Sequence, residues 1–187
     1  GCFGSSCGLM DSPRGVAVRG EVVYVADCGN HKVLKLTTSG RLLHSFGRSG
    51  SGEGEGFLKR PVGLCLDAKG CVVVADSGNH RIQIFDSEGN YLRSIQGNRD
   101  GVVVGGTLSG RNSRAPPTPH ARDLAASIGR SSKWDGCFYS PYDVAVDLEG
   151  NIHVAANNTS SIKVFTPEGD FVRAYGSSLC GPTGIAV

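Results

Sequence analysis

One stretch of this chain occurs twice, 49 residues apart, and that repetition constrains the fold more than any other feature. Val23-Tyr-Val-Ala-Asp27-Cys-Gly29-Asn30-His31-Lys32 returns as Val73-Val-Ala-Asp76-Ser-Gly78-Asn79-His80-Arg81. A third copy, Ile152-His-Val-Ala-Ala156-Asn-Asn-Thr-Ser160, keeps the apolar alternation but replaces the aspartate and the histidine. Self-similarity at a fixed period is the mark of a repeat architecture, in which each unit buries its apolar face against its neighbours.

Each copy is embedded in the same order of parts. A proline-led run of small apolar residues comes first, beginning at Pro13, Pro61, Pro141 and again at Pro182. A short turn leads to a second strand that ends in Ala-Asp or Ala-Ala, and a Gly-Asn-His turn leads to a third strand such as Arg81-Ile-Gln-Ile-Phe85. A Ser-Glu-Gly type turn then precedes a fourth strand. Four short strands per unit with glycine turns predict an all-β blade, and the 28 glycines of the 187 residues fit that many tight turns. The first strand, small and apolar, suits the crowded axis of a ring. Asp27 and Asp76, with Gly29, Asn30, Gly78 and Asn79, read as a structural turn motif, each aspartate accepting backbone N–H groups two or three residues on.

Asp-x-Gly-Asn-His followed by Lys or Arg and an aliphatic strand resembles the NHL repeat, and the match extends through Arg81-Ile-Gln-Ile-Phe-Asp-Ser-Glu-Gly89. The resemblance implies an NHL-type β-propeller with four-stranded blades at about 13–47, 61–97 and 141–176, residues 1–8 and 182–187 belonging to neighbouring blades. NHL propellers typically have six blades, so the chain reads as a fragment of a longer protein, which agrees with its one methionine standing at position 10. The proline spacings of 48, 80 and 41 leave roughly 30–40 extra residues in the middle interval. That stretch, 98–140, is rich in Gly, Ser, Arg and Pro without strand alternation, and is expected to be a disordered inter-blade insertion or an artefact of the gene model.

Linkers between blades and turns between second and third strands share one face of a propeller. The candidate binding face therefore carries Arg14, His31, Lys32, Lys59, Arg60, His80, Arg81 and Tyr142, with Phe57 as a second aromatic and Glu53 and Glu55 in opposition. Because His31 and His80 recur blade by blade, a structural hydrogen bond between neighbouring strands or blades is the expected role, ahead of metal binding or catalysis. The net charge of +2 does not by itself argue for nucleic acid. The seven cysteines contain no C-x-x-C pair, so zinc-ribbon spacing is absent, and they are expected to be reduced thiols in a cytoplasmic protein, with a Cys2–Cys7 disulfide as the rival. No apolar run is long enough to cross a membrane.

The resemblance implies a protein-interaction or single-stranded-RNA-binding module. In tripartite-motif ubiquitin ligases such a propeller follows a RING, B-boxes and a coiled coil and selects the substrate or RNA. No catalytic residue, metal ligand or cofactor is expected in this segment: G-x-S-x-G, H-E-x-x-H and phosphate-loop patterns are absent, and Gly50-Ser-Gly-Glu-Gly-Glu-Gly56 reads as an inter-blade linker. The alternative is a piece of a six-bladed enzyme such as a metal-dependent peptide-amidating lyase; the inner strands offer it only Arg14, Cys65 and Asp143.

Overall fold

Runs of four to seven residues rich in β-branched and aromatic side chains, most of them closed by a glycine turn, pair with their sequence neighbours because the turns are too short to allow any other partner. In the computed structural model this gives three four-stranded antiparallel sheets, described over residues 10–47, 54–97, 136–156, 159, 161–176 and 179–187. The first comprises β1 (Pro13–Arg19), β2 (Val22–Asp27), β3 (Lys32–Thr37) and β4 (Leu42–Phe46), in that order. The second comprises β5 (Pro61–Leu66), β6 (Val72–Asp76), β7 (Arg81–Phe85) and β8 (Tyr91–Gln96). The third comprises β9 (Pro141–Val146), β10 (Ile152–Ala156), β11 (Ile162–Phe165) and β12 (Phe171–Tyr175). Every pairing is a nearest-neighbour meander, with no crossover within a sheet.

The sheets pack face to face, and the core is the two seams between them. Tyr24, Ala26, Val33 and Phe46 of the first sheet meet Leu64, Val72, Val74 and Phe85 of the second. Val73, Ala75, Ile82, Ile84 and Ile95 on the opposite face of the second sheet meet Val144, Ile152, Val154 and Phe165 of the third. This explains why β6 and β7 are buried along their whole length: the second sheet is covered on both faces. Each fully buried Phe or Ile contributes about 1.5–3 kcal/mol by leaving water, so the seams carry most of the stability.

Glycine is required where one sheet's turn lies on the previous sheet's seam. Gly89 (φ 84°) closes the β7–β8 turn, and a Cβ on it would sit 2.6 Å from the Phe46 ring. Gly169 (φ 103°) stands in the same place on Ile95. The proline-led first strands lie innermost and close: a Cβ on Gly15 would meet the Val62 carbonyl at 2.6 Å, and one on Gly63 the Asp143 Cα at 2.6 Å.

Of the expected insertion, 98–135 lies outside the described residues, but its last five residues are ordered. Phe138 is fully buried in the second seam with its ring 5.7 Å from that of Phe165, as Leu58 is buried in the first seam. Residues 136–140 are therefore the linker into the third sheet, a part the composition-based boundary at 140 had absorbed into the insertion.

Candidate functional site

The end of the sheets where β1, β5 and β9 begin is built by the linkers that precede them. The linkers into the first and second sheets are each clamped to the turn between the second and third strands of the sheet they enter. Asp27 Oδ1 accepts the Asp11 N–H at 2.8 Å while the Gly29 N–H donates to the Asp11 carbonyl at 2.8 Å. Asp76 Oδ1 accepts the Lys59 N–H at 2.7 Å while the Gly78 N–H donates to the Lys59 carbonyl at 2.8 Å. The Asn30 and Asn79 amides each donate to the other carboxylate oxygen of their aspartate at 2.9 Å. These aspartates reach residues 16 and 17 positions upstream, a linker clamp that the reading of a local turn motif did not include. Asx loops also close the opposite end of the sheets, where Asp86 holds Glu88 and Asn90, and Asp147 holds Glu149 and Asn151.

The histidines tie each sheet to the next linker. His31 Nδ1 accepts the Arg60 N–H at 2.9 Å and His80 Nδ1 accepts the Ser140 N–H at 3.1 Å. Both stand in the left-handed region, at φ 59° and 56°. So do Ser12 (52°), Arg60 (50°), Ser140 (43°) and Gly181 (57°), each directly before a proline. Five of these six are not glycine, and such residues are held there only by surrounding bonds.

The candidate surface residues separate into two groups. Arg14 and Arg60 are exposed, Lys32, Lys59 and Tyr142 are half-buried, and no side-chain hydrogen bond or ion pair engages the four cations within the described residues. Tyr142 and Arg14 hold the same position, directly after the proline of their strands. Arg81 does not belong with them. It is 5% exposed, its Nε donates to Asp76 Oδ2 at 2.8 Å, and its Nη2 donates to the Gly54 and Phe57 carbonyls at 2.8 and 2.7 Å. Gln83, also fully buried, donates to Asp76 Oδ2 at 2.9 Å and accepts the Gly56 N–H at 3.1 Å. Arg81 is a bracket that fastens linker 54–58 inside the second sheet, and sequence reasoning missed this because a turn arginine and a buried one are written alike. Glu55 is exposed near this linker, and Glu53 lies outside the described residues.

Blade three departs from this plan. Ala156 replaces the clamping aspartate, and Asp143 stands on the inner strand where its sisters carry Gly15 and Gly63. Its Oδ2 accepts the Ile185 N–H at 3.0 Å, which fastens the proline-led segment after the third sheet. Beside it an open cavity of about 420 Å³ runs along the inner strands, lined by Gly15, Leu64, Cys65, Asp143, Val146 and Ile185. Burial, then the Asp143 and Asp67 carboxylates, push the Cys65 thiol up to about 12, so it behaves as an inert apolar side chain. Cys28, Cys65, Cys71 and Cys180 are free thiols; Cys2 and Cys7 lie outside the described residues. Among the described residues, no three His, Cys, Asp or Glu side chains gather to hold a metal ion, and no helix is long and apolar enough to cross a membrane.

Against this geometry, the model of the NHL repeat family matches residues 10–36 and 58–85. Protein lin-41 of Caenorhabditis elegans is 43% identical over 58 residues, which is 31% of this chain and 5% of that protein. Among solved structures, Kuenenia stuttgartiensis hydrazine synthase superposes with a TM-score of 0.60 at 11% identity, over 97% of this chain and 40% of the other. A streptogramin B lyase gives 0.55 at 16% identity, over 90% and 42%. The WD40 repeats of RRP9 give 0.57 at 14% identity, over 93% and 40%. At these identities the likeness is one of fold, and the chain spans about two-fifths of each of these structures.

Proposed function

For a chain that carries NHL repeats on β-propeller blades, we propose a role as a macromolecular-interaction module, working through the face built by its linkers. The observation that carries this reading is the contrast within that face. Its aspartates, histidines and Arg81 are consumed in holding linkers to sheets, whereas Arg14, Lys32, Lys59 and Arg60 carry charge that the described residues leave unneutralised. Tyr142 adds an aromatic ring at the start of β9. Uncommitted cations on a face that also carries an aromatic ring are what phosphates and unstacked bases, or the acidic surface of a protein, recognise.

The partner is a protein or a single-stranded RNA, and the segment serves as the recognition part of a longer cytoplasmic protein of the ubiquitin-ligase type. The partial likeness to lin-41 supports that class of host. The rigid clamps serve the role as well: a surface whose backbone is fixed loses little entropy when it binds.

Filter binding of the chain to a single-stranded RNA pool at two salt concentrations tests the RNA form. Binding that weakens steeply with salt, and is reduced at least tenfold by Arg14→Glu with Arg60→Glu, supports it. Absence of binding by the unaltered chain, or equal binding by the variant, rejects RNA and leaves a protein partner. Arg81 is left out of the variant because its substitution would unfold the linker.

A further inference from the structure

The third sheet carries a buried polar relay that its sisters lack. Tyr24, Val73 and His153 hold equivalent positions, paired with Lys35, Ile84 and Val164. All three face away from the preceding sheet. Tyr24 donates its hydroxyl to the Ser87 carbonyl of the following sheet at 3.1 Å, and Val73 packs into the apolar seam. His153, only 5% exposed, instead places Nε2 3.1 Å from Asp147 Oδ2 and Nδ1 3.0 Å from the Tyr175 hydroxyl.

The protons can be assigned from the partners. Asp147 also accepts the N–H groups of Glu149 and Asn151 at 3.0 and 2.7 Å and the Asn151 amide at 2.9 Å. Burial works against its anion, but the Asn151 and His153 hydrogen bonds outweigh that and bring the carboxyl down to about 2. An ionised carboxylate only accepts, so Nε2 carries hydrogen in both states of the ring, and Nδ1 is the nitrogen that gains or loses a proton. In the neutral ring, bare Nδ1 takes the Tyr175 O–H. In the imidazolium, Nδ1–H donates into the phenol oxygen, and the phenolic hydrogen has to turn elsewhere. Tyr175 is 41% exposed, so it turns outward.

We propose that His153 is a proton-operated switch on the Tyr175 hydroxyl: closed when the ring is neutral, and released as a free donor on the outward side of the third sheet when the ring is charged. The released hydroxyl is the same kind of donor that Tyr24 supplies to a turn carbonyl across the first seam, so acid adds one hydrogen bond for a backbone carbonyl docking on that side. The charged groups on the elements packed against His153 are Asp147, bonded to the ring, and Glu149 on the β9–β10 turn, Asp143 on β9, and Arg173 on β12, which lies 6.0 Å from the Tyr175 ring centre. Lys163 of β11 leans on Phe171 instead.

Long-range 1H–15N spectra of the 15N-labelled chain over pH 4.5–9, with His153→Phe to assign the signal, read the tautomer and the titration. Hydrogen exchange at the Tyr175 hydroxyl, resolved by the deuterium isotope effect on its ring carbon, reads the switch. The proposal expects a neutral ring that is wholly the Nε2–H tautomer, and hydroxyl exchange roughly tenfold faster below the His153 midpoint than above it, the equivalent of about one hydrogen bond. Asp147→Asn should lower the midpoint. A neutral Nδ1–H ring, or Tyr175 exchange that ignores the His153 titration, overturns it, and both are read in the unaltered chain even if Asp147→Asn fails to fold.

Discussion

Asp76 and Asp27 occupy the same place in successive blades, yet their replacement by alanine should differ in cost by several-fold. Asp76 is wholly buried and accepts four donors: the Lys59 N–H, the Asn79 amide, Arg81 Nε and Gln83 Nε2. Arg81 would lose the carboxylate that faces its buried guanidinium, and breaking a buried pair from one side costs about 3–5 kcal/mol. Asp27 is as buried, but Lys32 and Leu34 stand where Arg81 and Gln83 do, and it accepts the Asp11 N–H and the Asn30 amide. Its loss strands neutral donors near the surface and should cost about 1–3 kcal/mol. Urea unfolding followed by circular dichroism, with m held constant, measures both. A double-mutant cycle through Arg81→Met isolates the pair: Asp76→Leu with Arg81→Met should recover most of the single loss, because no buried charge remains. If Asp76→Ala costs no more than Asp27→Ala, or the double variant is as unstable as the sum of the singles, the buried ion pair is not what distinguishes the two clamps.

Arg60→Gly relieves a left-handed residue at φ 50° and should leave stability unchanged or raise it by up to about 1 kcal/mol, read as a small upward shift in Tm. Gly63→Ala should be severely destabilising, since its Cβ would meet the Asp143 Cα at 2.6 Å and the Tyr142 carbonyl at 2.8 Å, backbone that cannot step aside; loss of the cooperative unfolding transition checks it. The Asp147 carboxyl is lowered from 3.8 to about 2 in the folded chain, so its stabilisation is present above pH 3.8 and lost as pH falls through about 2; acid titration of Asp147→Asn should lack that component. Because the Asp147 side chain is a quarter exposed, the effect should be discounted to about 1 kcal/mol.

The repeat made the sheets legible because strand alternation and turn glycines are local signals, and a unit copied at a fixed spacing has to use each residue in the same way. The same logic pointed to a hydrogen bond between neighbouring strands or blades for the recurring histidines, and Nδ1 of His31 and of His80 each accepts a backbone N–H of the next linker. What stayed hidden is set by contacts far apart in sequence. Whether Arg81 faces water or Asp76 depends on a linker 24–27 residues upstream, and Lys32 in the equivalent place of the first blade gives no warning. Phe138 looked like part of a polar insertion because composition averages over a window, whereas burial is decided by the single side chain that repeats the role of Leu58. The departures in the third blade carried information that could be read only against the other two. Ala156 removes a clamp, Asp143 replaces a glycine to hold the next segment, and His153 replaces an apolar or phenolic seam residue with a titratable one. In a repeat protein the copies that agree describe the scaffold, and the positions where one copy disagrees, with its buried polar groups fully satisfied, are where a function specific to that blade should be sought.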